Sequence, residues 1–248
     1  MSNLALDWPP VATPPSLTAW AVHVWAWPLD LPPERSAALI ATLSPDERER
    51  ARKFGTEQLR LRFIAGRGGM RVLLAKYLQV APGRLEFSYT SRGKPALAGA
   101  ETERLHFNLA HSHELALLAV TRVAAVGVDV EKVRPFADAT GIAERFFAAG
   151  EIAAFKTLPP GARDTAFFQL WTRKEAWLKA TGDGIAESLS KIEVAFLPDE
   201  PPGVRAIAGD PAAGKAWSIC PLSPAEGFVG ALAIPARDVR SSCWRAEI

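Results

Sequence analysis

The sequence predicts an α+β fold on three grounds. Helical and strand patterns fall in separate runs along the chain, a strand at 20–27, then helices to 78, then strands to 121. With 248 residues, of which 48% are apolar, the chain can bury a sizeable core as one large or two small domains. After Val123 the order of elements loosely repeats, which divides the chain into an arm at 1–19 and two halves at 20–123 and 124–248.

Residues 1–19 hold four prolines and no periodicity, so they read as an extended arm. Residues 20–27 alternate like a strand, with His23 an ordinary member of it. Pro33 opens a helix to about Leu43. Ser44-Pro45-Asp46-Glu47 starts another with a serine cap and proline at its first position, and residues 57–78 form a long third. Strands follow near 85–89, 105–109 and 115–121. In the second half, Phe147-Ala148-Ala149-Gly150-Glu151 precedes a helix as Leu43-Ser44-Pro45-Asp46-Glu47 does, and 167–180 corresponds to the long helix. Residues 192–196, 216–220 and 228–234 mirror the earlier strands, while 197–203 and 209–214 read as loops or turns.

Val126, Val128 and Val130 alternate with Gly127, Asp129 and Glu131, the pattern of a strand buried on one face. Asp129 and Glu131 then project side by side, and paired carboxylates repel unless a cation or proton lies between them. A hard divalent ion is the natural occupant, and oxygen-only ligands suit magnesium. A solvated strand edge ahead of the turn at Arg134-Pro135 would show the same short pattern. Trp171-Thr172-Arg173-Lys174-Glu175-Ala176-Trp177-Leu178-Lys179 reads as helical, with Trp171 and Trp177 flanking the charges and Thr181-Gly182-Asp183-Gly184 ending the helix. Glu175 and Lys179 stand one turn apart, either as an ion pair or as a catalytic base with its partner.

These two segments resemble the signatures of the phosphopantetheinyl transferases of the surfactin-synthetase-activating type, Gly-[Ile/Val]-Asp-[Ile/Val]-Glu and Trp-[Ser/Thr/Cys]-x-Lys-Glu-[Ala/Ser]-x-x-Lys. Gly93-Lys94-Pro95 and Phe107-Asn108-Leu109-Ala110-His111-Ser112 resemble two further family segments, in the expected order. The resemblance runs from roughly Leu43 to Ile192. It implies a pseudo-twofold pair of similar α+β halves with the active site at their interface. It also implies transfer of the 4'-phosphopantetheine of coenzyme A to a serine of an apo acyl or peptidyl carrier protein, releasing adenosine 3',5'-bisphosphate. On the same ground Asp129, Glu131 and Glu175 hold magnesium, Glu175 is the base, and Lys179 serves the departing phosphate. Lys94, His111, Arg62 and Arg50 bind the coenzyme, with Arg67 not separable from an ordinary helix-surface arginine. Ala110 replaces the family's common serine, removing a hydroxyl that could give phosphate a hydrogen bond worth roughly 1.5 to 3 kcal/mol.

Other classes fit less well. No run of eighteen apolar residues suggests a membrane span, and Asp7 with paired prolines is unlike a secretory signal, so a cytoplasmic protein without a membrane partner is expected. Cys220 and Cys243 lack metal spacing and read as free thiols. Net charge is only +2, but Arg48, Arg50, Arg52, Lys53, Arg60, Arg62, Arg67 and Arg71 face only Glu49 and Glu57 in their segment, a patch able to steer an anion. No reader motif or aromatic interleaving points to nucleic acid, and the eight scattered tryptophans read as core. His106, His111, His113 and Glu114 lack convincing zinc spacing. The chain has no Gly-x-x-x-x-Gly-Lys-[Ser/Thr], and Gly68-Gly69 is not a phosphate loop, which argues against a kinase or nucleotide hydrolase. A non-catalytic relative that binds coenzyme A or a carrier protein is the alternative. Phe136, Phe146, Phe147 and Phe155 are candidates for acceptor recognition, though core packing explains them equally. The thiol end of pantetheine is expected to face solvent, and the protein to be a monomer.

Overall fold

Trp25 and Trp27 lie in one hydrophobic core while Val22, Val24 and Ala26, alternating with them on the same strand, lie in another. A sheet with two buried faces follows from that pattern. The computed structural model describes residues 4–99, 105–182 and 189–248. Within them this strand, β2 (Ala21–Pro28), is the centre of a five-stranded sheet. On one side it pairs antiparallel with β6 (Leu115–Thr121), which pairs with β5 (His106–Ser112). On the other it pairs in parallel with the last strand of the chain, Arg240–Ala246, which in turn carries β1 (Pro10–Val11) from the N-terminal arm.

The tryptophan face is covered by α1 (Pro33–Thr42) and the long α3 (Glu57–Leu78). Close approach here depends on two glycines inside α3. A Cβ at Gly69 would lie 2.7 Å from Trp27 Nε1, and one at Gly68 would lie 2.8 Å from Leu39 Cβ. The Trp27 indole N–H also donates to the Ala65 carbonyl at 3.1 Å. Gly68-Gly69 therefore serves helix packing. Between α1 and α3 runs α2 (Pro45–Arg52), whose Glu47 accepts from the Ser44 backbone N–H at 3.0 Å. After α3, β3 (Phe87–Tyr89) and β4 (Pro95–Leu97) form a hairpin.

The opposite face of the large sheet packs on a three-stranded sheet of order β10, β11, β7, comprising Ser218–Leu222, Phe228–Ile234 and Gly127–Lys132. Val128, Val130, Leu232 and Ile234 meet Val24, Leu115 and Leu117 across this middle core. Each such side chain contributes about 1.5 to 3 kcal/mol on burial. The outer face of the small sheet, with Ala231 and Ala233, is covered by α6 (Pro160–Thr181), supported by α4 (Ala139–Phe146) and α5 (Ala149–Thr157). The layers thus run helix, sheet, sheet, helix. A small pair of strands, β8 (Ile192–Val194) and β9 (Val204–Ile207), and the four-residue α7 (Pro211–Gly214) complete the second outer layer before β12, the Arg240–Ala246 strand.

Several elements extend the expectation. The α3 boundaries agree with it, but α6 starts at Pro160, because proline at a first helical position ends nothing. The α4 helix, β4, β9 and β12 have no counterpart in the sequence reading, and 211–214 is a short helix inside an expected loop. Among the described residues no helix is long and apolar enough to cross a membrane.

Candidate active site

Strand β7 turns Val128 and Val130 into the middle core, which leaves Asp129 and Glu131 on the side of α6. The helix can approach that strand only because position 127 is glycine: a Cβ there would lie 1.9 Å from the Ala176 carbonyl oxygen and 2.5 Å from the Ala180 nitrogen. Glu175 and Lys179, one turn apart on α6, are thereby brought to the acidic strand. Lys179 Nζ lies 2.6 Å from Asp129 Oδ1. Asp129 Oδ2 and Glu175 Oε1 are buried without a hydrogen-bond partner among the described residues. Burial pushes the Asp129 carboxyl upward against the pull of Lys179. Burial, followed by the Asp129 charge, raises Glu175 to about 7 from 4.5, with Lys179 opposing and Glu131 adding. A carboxyl raised to about 7 by burial and by a neighbouring carboxylate is a group able to exchange a proton near neutral pH.

Glu131 is held from the first half of the chain. Ser112 Oγ donates to its Oε2 at 2.7 Å and accepts from the Lys132 N–H at 3.3 Å. Asn108, which sequence reasoning passed over, does related work: its Oδ1 accepts from the Val128 N–H at 2.8 Å, joining β5 to β7. The available signal was an asparagine between apolar neighbours on a strand, since a buried amide needs a partner.

Beside this centre lies a cavity of about 830 Å³. Arg50, Arg62 and His111, three of the four expected coenzyme ligands, line it, as does Arg67. His111 on the cavity wall is followed by Ser112, which bonds Glu131, so the cavity and the acidic centre adjoin; burial, then the Lys179 ammonium, holds the His111 imidazole below its ordinary value. Arg62 makes a bidentate pair with Asp30 at 2.6 and 2.7 Å. Arg50 lays its guanidinium over Phe63, 5.5 Å from the ring centroid, and has no ion pair among the described residues. Arg67 is no ordinary surface residue: it is buried and bonded to Glu47 and to the Tyr89 hydroxyl.

The expected positive patch is smaller than its segment suggests. Arg71 also binds Glu47, at 2.6 Å, Arg60 binds Glu57, and Arg52 binds Glu49. Asp30 and Glu47, outside the counted stretch, neutralise much of it.

Lys94, the fourth expected coenzyme ligand, is not among the residues that line the cavity. The hairpin residues beside it, Gly93 and Pro95, line the cavity. Its ammonium instead donates to the carbonyls of Val126 at 3.3 Å, Ala180 at 3.4 Å and Lys179. Ala110 lies in the middle core, with Leu115 and Leu117, and so presents nothing to the cavity. Trp177 is core too and meets Trp217, while Trp171 stacks on Phe167. Phe147 and Phe155 are buried in the α6 core with Phe136 and Phe146 packed against it, so core packing accounts for them. Glu114 pairs with Lys132 at 2.5 Å. Asp183 and Gly184 lie outside the described residues; Gly182 ends α6 in the left-handed conformation as expected.

Oxygen donors left without partners and a carboxyl raised by burial and then by a neighbouring carboxylate suit a hard cation. Among the described residues no group of three or more His, Cys, Asp or Glu side chains is gathered closely enough to form a metal cage. Magnesium, which takes one or two carboxylates and completes its shell with water and phosphate, does not need one.

Comparison with known proteins identifies the lineage. A family model of the 4'-phosphopantetheinyl transferase superfamily matches residues 125–233, and one of the 4'-phosphopantetheinyl transferase N-terminal region matches 32–123. The 4'-phosphopantetheinyl transferase HetI of Nostoc sp. is 43% identical over 234 residues, covering 93% of this chain and 95% of that protein. A phosphopantetheinyl transferase of Thraustochytrium sp. is 34% identical over 77% of this chain and 69% of its own. The 4'-phosphopantetheinyl transferase Sfp of Bacillus subtilis is 26% identical over 67% of this chain and 72% of its own. With an acid–lysine centre, an adjoining arginine-lined cavity and relatives of this kind along nearly its whole length, the chain belongs to the 4'-phosphopantetheinyl transferase superfamily of enzymes.

Proposed function

We propose that this enzyme transfers the 4'-phosphopantetheine of coenzyme A to a serine of an apo acyl or peptidyl carrier protein, in a magnesium-dependent reaction that releases adenosine 3',5'-bisphosphate. The observation that carries the reading is Glu175, a buried carboxyl raised to about 7 with an unpartnered oxygen, beside the Asp129–Lys179 pair. The serine oxygen attacks the β-phosphorus as Glu175 takes its proton, and the bond from that phosphorus to the oxygen bridging to the α-phosphate breaks. Lys179 supplies positive charge to the departing phosphate. Arg50, Arg62 and His111, all on the cavity wall, hold the coenzyme. Asp129, Glu131 and Glu175 would hold magnesium, which when bound offsets negative charge on the pyrophosphate oxygens.

The site is read as lying between two pseudo-twofold halves, within the surfactin-synthetase-activating type. Support comes from corresponding buried pairs. Glu47 and Glu151 each accept from the backbone N–H three residues before, at 3.0 Å. Each also binds the fifteenth residue of a 22-residue helix, Arg71 on α3 and Lys174 on α6. The acceptor is taken to be a carrier protein and the enzyme to act as a cytoplasmic monomer.

Intact-protein mass spectrometry of apo carrier proteins incubated with coenzyme A tests this. A gain of about 340 Da, one phosphopantetheinyl group, is expected with magnesium and not with EDTA. No gain on any carrier while coenzyme A binds would overturn the reading.

A further inference from the structure

Lys94 sits in a tight turn fixed by hydrogen bonds within the turn itself. Thr90 and Lys94 bond to each other twice, the Thr90 N–H donating to the Lys94 carbonyl at 3.0 Å and the Lys94 N–H donating to the Thr90 side-chain Oγ1 at 3.1 Å. Gly93 takes φ +79°, in the left-handed region that glycine permits. The side chain therefore leaves the turn in a defined direction, toward the last turn of α6 and the residue that precedes β7.

Three carbonyls meet it there, those of Val126, Lys179 and Ala180. The last four carbonyls of a helix have no partner within it, and the helix C-terminus carries partial negative charge, so an ammonium is the natural cap. The Val126 carbonyl immediately precedes Gly127, where an added Cβ would collide with the Ala176 and Ala180 backbone of α6. One cation thus ties together the strand that carries Asp129, the helix that carries Glu175 and Lys179, and the turn whose Gly93 and Pro95 form part of the cavity wall.

We propose that Lys94 is a positioning residue, a strut that holds the C-terminal turn of α6 against β7 and fixes Lys179 and Glu175 relative to the coenzyme cavity, and that it is not a ligand of the coenzyme phosphates. The catalytic part of this inference rests on the transferase reading above; the strut itself does not. Its ammonium is already committed to main-chain oxygens, and moving it onto a phosphate would orphan helix carbonyls in a half-buried setting, an unfavourable exchange.

The test uses Lys94→Met, which keeps the aliphatic stem and removes the donors, and Lys94→Arg, which keeps the charge. Calorimetry with coenzyme A and with adenosine 3',5'-bisphosphate should give dissociation constants within about twofold of the unmodified protein. Turnover at saturating coenzyme A should fall about tenfold or more in Lys94→Met and be partly restored in Lys94→Arg. A merely destabilising change would not split binding from turnover in this way. A dissociation constant raised about tenfold or more with turnover unchanged at saturation would make Lys94 a phosphate ligand and overturn the proposal.

Hydrogen exchange provides a readout independent of activity. Amides in the last turn of α6 should exchange faster in Lys94→Met than in the unmodified protein, with β2 and β6 unchanged. Unchanged exchange in that turn sinks the strut even if transfer is observed. Faster exchange in a protein that modifies no carrier would preserve the strut and sink the transferase reading. Should Lys94→Met fail to fold, the unmodified protein still decides: the Lys94 Nζ resonance, assigned by its loss in Lys94→Arg, should not move when adenosine 3',5'-bisphosphate saturates the site. A shift of that resonance alongside those of cavity arginines would count against the proposal.

Discussion

Lys179 Nζ stands 2.6 Å from Asp129 Oδ1 and one helical turn beyond Glu175, so the ammonium facing these two carboxylates is bonded to only one of them. Asp129 Oδ2 and Glu175 Oε1 remain buried without partners among the described residues. Desolvated carboxylates in this state should welcome a divalent cation. Manganese or magnesium is therefore expected to raise the melting temperature at neutral pH, and EDTA to reverse the gain. Asp129→Ala should lose both the metal response and transfer. A melting temperature indifferent to metal in the unmodified protein would remove Asp129 from the metal-ligand assignment.

Glu175 gives a pH signature of definite sign. Its folded-state value, about 7, lies above the ordinary 4.5, so the native state holds this proton more tightly than the unfolded chain. The stability it contributes is present below about 4.5 and is lost as pH climbs through 7. Glu175→Gln, measured in EDTA, should therefore gain on the unmodified protein between pH 5 and pH 8, by on the order of 1 to 3 kcal/mol. The same variant should lose transfer by about 10²- to 10⁴-fold while coenzyme binding survives in part. Parallel stability curves for the two proteins would show that Glu175 is not desolvated as the structure places it.

Ala110 carries a different expectation from the one its sequence position suggests. A serine there reads as a possible phosphate ligand, but strand alternation points residue 110 into the middle core and leaves His111 for the cavity. Ala110→Ser would bury a hydroxyl in the middle core beside Leu117, its partner on β6. It should cost about 1 to 2 kcal/mol of stability and leave the coenzyme dissociation constant unchanged. Tighter coenzyme binding would mean that β5 faces the other way.

Much of the frame is written in side-chain periodicity. The tryptophan–valine alternation of β2, the apolar run of β6 and the valines of β7 announce their strands because each packs on at least one core. β12 reads Arg-Ser-Ser-Cys-Trp-Arg-Ala, largely half-exposed, and owes its place to backbone pairing with β2 rather than to a hydrophobic pattern. β4 begins at a proline, and α4 contains Thr-Gly, so local propensity argued against both. At the site, the carboxylates and Lys179 are legible because two motifs carry them. The Lys94 cap is not, because a lysine has the same letters whether it meets a phosphate or a helix end. Nor could the positive segment be weighed without Asp30 and Glu47, which join it only through folding.

Gly127→Ala tests why the first motif begins with glycine. The new methyl would sit 1.9 Å from the Ala176 carbonyl oxygen and 2.5 Å from the Ala180 nitrogen, and both are backbone atoms that can yield only if α6 moves. A loss of about 3 kcal/mol or more is expected, with transfer falling further than stability because Glu175 and Lys179 move with the helix. An unchanged melting temperature and normal turnover would show that the helix and strand do not meet this closely.

The buried pair Glu151–Lys174 stands 2.6 Å apart with neither side chain exposed, immediately before Glu175 on the same helix. Lys174 also donates to the carbonyls of Leu189, at 2.8 Å, and Ile192, while Glu151 accepts from the Val194 N–H at 2.8 Å. Removing either charge strands the other, so Glu151→Gln and Lys174→Met should each cost about 3 to 5 kcal/mol. The double variant should cost less than the two together, by a coupling of about 0.5 to 3 kcal/mol, though not zero, because three backbone groups lose partners. Denaturant titration of the four proteins measures that coupling. Strict additivity would mean that the two side chains act separately, and the correspondence with Glu47 and Arg71 on α3 would then lose its strongest energetic support.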